Sequence, residues 1–73
     1  MKDTKVNAAI LIIGNEILSG RTQDTNTSTL AIWLNSIGVK VKEARVIPDI
    51  EKTIVDTLNI LRKENEYVFT TGG

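Results

Sequence analysis

Two glycine-containing stretches hold most of the residues with chemical potential, Gly14 to Gly20 and Thr70-Thr71-Gly72-Gly73. Glycine lets backbone N–H groups approach a phosphate closely, and a helix start after such a loop adds a favourable dipole. Ser19, Gly20, Thr22 and Thr25 offer hydroxyls and permissive backbone on one side, and Thr70 to Gly73 offer the same on the other. Three acids, Glu16, Asp24 and Asp49, lie in or beside these loops. Phosphate chemistry uses this mixture: donors for the phosphate oxygens, and carboxylates to hold a divalent ion or activate water. Each residue also has a plainer reading. Asp24 and Asp49 stand where helix-starting acids stand, Glu16 suits a solvated loop, and a Gly-Gly pair is by itself a turn.

The two familiar phosphate motifs are absent. A Walker A loop places four residues between its glycines and then Lys with Ser or Thr. Here Gly14 and Gly20 enclose five residues, and Arg21-Thr22 follows. No G-x-G-x-x-G occurs either, which disfavours an ordinary NTPase or nicotinamide dehydrogenase. The chain has no cysteine and no histidine, so thiol nucleophiles, histidine bases and disulfides are excluded and a zinc site is disfavoured. Nine basic and nine acidic residues cancel. No net field draws the chain to nucleic acid or anionic lipid, and the expected partner is a phosphate-bearing small molecule. The apolar run Ala8 to Ile13 is too short to cross a bilayer, and the start lacks a signal-peptide pattern, so a soluble, cytoplasmic protein is expected.

The elements that must position these loops follow from periodicity. Ala8 to Ile13 is continuously apolar, as expected of a strand buried on both faces. An irregular stretch from Gly14 to about Asp24 leads to a helix capped by Thr25 or Asn26 and running to about Ile37. Leu30, Trp33, Leu34 and Ile37 form its apolar stripe, which assigns Trp33 to core packing rather than base stacking. Gly38 stands where a helix end wants a left-handed residue. Val39 to Ile47 reads as a strand near the sheet edge, with lysines on its alternate face. Pro48-Asp49 offers a cap for a second helix, about Ile50 to Lys63, and Tyr67 to Thr70 forms a third strand. Alternating strands and helices imply parallel pairing through right-handed crossovers. The buried and edge characters favour the spatial order 2-1-3. Ligands bind at the carboxyl ends where the crossover direction reverses, between the first and third strands.

Ile12-Ile13-Gly14-Asn15-Glu16-Ile17-Leu18-Ser19-Gly20-Arg21, followed by Asp24-Thr25-Asn26, resembles the opening of the molybdopterin-binding (MoCF biosynthesis) domain family, nearest to its CinA-like branch. Arg45-Val46-Ile47-Pro48-Asp49 and Thr70-Thr71-Gly72-Gly73 resemble the family's next two motifs, in order and spacing. The resemblance implies an α/β three-layer sandwich around a mostly parallel sheet, commonly oligomeric, binding pterin or nucleotide phosphates at the strand ends. It matches Ser19, Gly20 and Asp24 to the loop facing the ligand, with Gly14, Glu16 and Asn26 in the same motif. It matches Asp49 to a catalytic acid that works through Mg²⁺, and Thr71, Gly72 and Gly73 to the start of a phosphate-cradling loop.

The family pattern continues past Thr-Gly-Gly into a glycine-proline stretch with a second acid, so the expectation is that residues 1–73 are the front part of one domain, homo-oligomeric when intact. A chain this short is marginal without such support. Three functions fit: a metal-dependent pyrophosphatase on FAD or ADP-ribose, a protein that binds or adenylates molybdopterin, and a non-catalytic nucleotide-binding module. The 73-residue chain alone is expected to be inactive.

Overall fold

The first strand forms where the chain is most uniformly apolar. In the computed structural model, which describes residues 6–72, β1 runs Val6–Ile13 and its last six residues are all buried. A strand with no polar face must be covered on both sides, and β1 takes the centre of the sheet. The order is β2-β1-β3, wholly parallel, with β2 at Val39–Ile47 and β3 at Tyr67–Gly72. This is the expected α/β arrangement. Three helices connect the strands: α1 (Asn15–Leu18), α2 (Asn26–Ser36) and α3 (Glu51–Glu64).

Right-handed crossovers to opposite sides of β1 put α2 and α3 on opposite faces of the sheet. Ala9, Leu11 and Ile13 join Ile47 and Leu61 in one core, with Ile54 and Leu58 of α3 and Val68 packed against it. Ala8, Ile10 and Ile12 are buried on the other face. On β2 the register slips by one residue: Ala8 pairs with Val41 but Ala9 pairs with Glu43, leaving Lys42 extra. The slip accounts for a change of parity along β2. Val39 and Val41 share a face with Ala44 and Val46, while Glu43 and Arg45 pair on the other at 2.7 Å.

Four expectations need correction. The stretch after Gly14 is not wholly irregular, because it opens with the single turn α1. The α2 stripe is only partly a core face: Leu34 is buried, but Trp33 and Ile37 are each 55% exposed. The reason is geometric, since α2 packs chiefly along β2, an edge strand, and part of its stripe overhangs the sheet. Neither Thr25 nor Asn26 caps α2 with its side chain. Nor does Asp49 cap α3, which starts at Glu51 with no side-chain cap. The end of α3 is held instead by Asn65, buried, whose amide donates to the Leu61 carbonyl at 3.0 Å.

Candidate functional site

The parallel register sets the three strand ends level, with Ile13 opposite both Ile47 and Gly72. The loops after β1 and β2 and the end of β3 therefore share one edge. The Gly14 N–H extends the ladder one step further by donating to the Ile47 carbonyl at 3.1 Å. Within the first loop the Glu16 carbonyl is the hub. It accepts the Arg21 and Thr22 N–H groups at 3.0 and 3.1 Å and the Ser19 hydroxyl at 3.2 Å. The Ser19 hydroxyl thus holds the loop together.

A cavity of about 280 Å³ lies at this edge, lined by the loop after β1, the start of α2 and the end of β3. Ile12, Ile13 and Ile17 give it an apolar floor, and Thr71 and Gly72 close it from the β3 side. Its polar wall is Glu16, Thr22, Gln23, Asp24, Thr25 and Asn26. Among the described residues, two acids and no lysine or arginine line it.

Gly72 is required by the closeness of this wall. A Cβ there would lie 2.2 Å from the Ile13 carbonyl oxygen, and its φ of +83° is left-handed. The Glu16 carboxylate folds back over Gly14, where a Cβ would meet its Oε2 at 2.9 Å. Asp24 has a structural task as well. Its Oδ1 accepts the Asn26 and Thr27 N–H groups at 3.1 and 3.3 Å, and its Oδ2 accepts the Thr27 hydroxyl. These bonds, the Thr27 hydroxyl first, hold the Asp24 carboxyl below its ordinary pKa, against a smaller opposing effect of burial. The helix-start reading of Asp24 is therefore realised, at a residue that also faces the cavity.

Of the residues singled out in the sequence, Glu16, Thr22, Asp24, Thr25, Asn26, Thr71 and Gly72 are brought together in the wall. Gly14, Ser19 and Gly20 build the loop behind it without lining it. Asp49 lies on the adjoining loop after β2, exposed, and its N–H donates to the Asn15 side-chain carbonyl at 3.2 Å. Gly73 lies outside the described residues. Sequence reasoning missed Gln23, Ile17 and Asn15. An isoleucine inside a polar loop and an amide directly after the strand-ending glycine were the available signals. Among the described residues no three acids cluster closely enough to form a metal site of protein ligands alone.

Residues 9–73 match the family model described as a probable molybdopterin binding domain. The chain belongs to that family. It is 40% identical over 68 residues to a CinA-like protein of Flavobacterium psychrophilum, covering 93% of this chain and 16% of the relative. It is 41% identical over 66 residues to a probable FAD synthase of Caenorhabditis elegans, covering 90% and 13%. The crystal structure of the protein CinA of Thermoplasma acidophilum, whose function is described as unknown, superposes with a TM-score of 0.87 at 28% identity, covering 94% of this chain and 41% of that one. The chain thus spans less than half the length of each of these family members.

Proposed function

We propose that the full-length protein is a Mg²⁺-dependent pyrophosphatase acting on a dinucleotide such as FAD or ADP-ribose, with this chain supplying one wall of the site. The observation that carries the proposal is the make-up of the cavity wall among the described residues: two carboxylates, several hydroxyls and amides, and no basic side chain. Among the described residues, no lysine or arginine lines this wall to hold a pyrophosphate. Its charge needs a divalent cation, with backbone N–H groups of the glycine loops as further donors. The name of one relative, a probable FAD synthase, supports dinucleotide chemistry.

Asp49 is the acid we assign to the metal. Its carboxylate caps no helix and, among the described residues, makes no ion pair, so it is free for a ligand. Mg²⁺ would neutralise the phosphate oxygens and polarise the phosphorus centre. Water then attacks one phosphorus, the bridging P–O bond breaks, and AMP leaves with a second phosphate monoester. Glu16, in the wall, accepts the proton that water loses. Thr22, Gln23, Thr25 and Asn26 hydrogen-bond the organic part of the substrate over the isoleucine floor.

Asp49→Asn in the full-length protein is expected to lower AMP release by about 100-fold or more. AMP release unchanged by that substitution would remove Asp49 from the mechanism. The family description favours a second reading, in which the cavity binds molybdopterin and its phosphate takes the pyrophosphate's place. Tight molybdopterin binding without dinucleotide cleavage would select it.

A further inference from the structure

We infer that Asn15 is a positioning residue, which fixes the loop carrying Asp49 relative to the cavity. The inference rests on the assignment of Asp49 to the metal. Two bonds join the loops after β1 and β2. The Gly14 N–H donates to the Ile47 carbonyl at 3.1 Å, and the Asp49 N–H donates to Asn15 Oδ1 at 3.2 Å. The first is a continuation of the backbone ladder and is open to almost any residue at position 14. The second depends on the side chain at position 15.

Without that side chain, Pro48 and Asp49 would be tied down only by the Ile50 N–H, which donates to the Pro48 carbonyl at 2.9 Å. Pro48 has no N–H to add a bond of its own. Asn15 is also the residue directly before Glu16, whose carboxylate lines the cavity. Asn15 thus precedes one acid in the chain, at the start of α1, and its side chain holds the backbone of the other. An acid whose backbone is fixed holds a cation without first ordering its loop, and fixed geometry is what a metal-assisted step requires.

The test compares Asn15→Ala and Asn15→Asp with the wild-type full-length protein. Asn15→Asp retains an oxygen acceptor at the same place, and Asn15→Ala does not. The first readout is solvent exchange of the Asp49 amide proton, which involves no activity. In Asn15→Ala exchange should quicken by roughly 3- to 10-fold, while Asn15→Asp stays near wild type. The second is line broadening of the Asp49 resonances by Mn²⁺ alone, standing in for Mg²⁺. Broadening at a low Mn²⁺ concentration in the wild type, requiring more metal in Asn15→Ala and restored in Asn15→Asp, is the expected result. Equal amide exchange in all three proteins would overturn the inference. Altered exchange with no Mn²⁺ effect at Asp49 in any of them would overturn the metal assignment and leave Asn15 as a structural tether.

Discussion

Gly20 and Gly72 share a left-handed backbone, with φ of +82° and +83°, but not a neighbourhood. Nothing lies within 4 Å of a Cβ built at Gly20, whereas one at Gly72 would meet the Ile13 carbonyl at 2.2 Å. Gly20→Ala should therefore cost about 1 kcal/mol, the left-handed penalty alone. Gly72→Ala should cost about 3 kcal/mol, because the backbone of β1 cannot yield, and urea unfolding would show the difference. Asp24 gives a second test. Asp24→Ala should cost about 1 kcal/mol through loss of the helix start. Because its folded pKa is lowered, the stability it contributes is full above the ordinary aspartate range. That stability is lost as pH falls from about 4 through the depressed folded value. Thermal melting of wild type and Asp24→Asn should converge below that window, and equal melting of the two at pH 7 would contradict the assignment.

At the scale of elements, what could be read in advance was set by how strongly each face is constrained. Ala8 to Ile13 has no polar residue, so a central buried strand was the natural inference, and the lysines of β2 marked its edge. The α2 stripe misled because periodicity reports which residues share a face, not whether the facing sheet is wide enough to cover them. Trp33 is the clearest case, with Leu34 beside it fully inside. Leu34→Ala should accordingly cost about 2–5 kcal/mol, and Trp33→Ala under about 1 kcal/mol. Comparable losses in chemical denaturation would show that the exposed face of α2 is covered in solution. The helix starts were legible in part. Asp24, read as a helix-starting acid, reaches past Thr25 to the N–H groups of Asn26 and Thr27, whereas Asp49 caps nothing because α3 begins at Glu51, after Ile50.

For the whole molecule, parallel strands with level carboxyl ends bring three distant stretches to one edge, and seven of the residues singled out there share a cavity wall. The general position of the site was legible because it follows from strand order. The division of labour inside it was not, since Ser19 and Asp24 are engaged in building the loop and the helix start. Asp49 does not line the cavity; it lies on the neighbouring loop after β2, tied to Asn15 through its N–H. Membership of the probable molybdopterin binding domain family covers nearly the whole chain. The central claim is that a cavity whose described wall carries acids and no bases handles a pyrophosphate with a divalent cation. The most direct measurement is AMP release from ADP-ribose by the full-length protein, with Mg²⁺ and with the metal chelated. Release that requires Mg²⁺ is the predicted result; no AMP under either condition, or equal release in both, would contradict it.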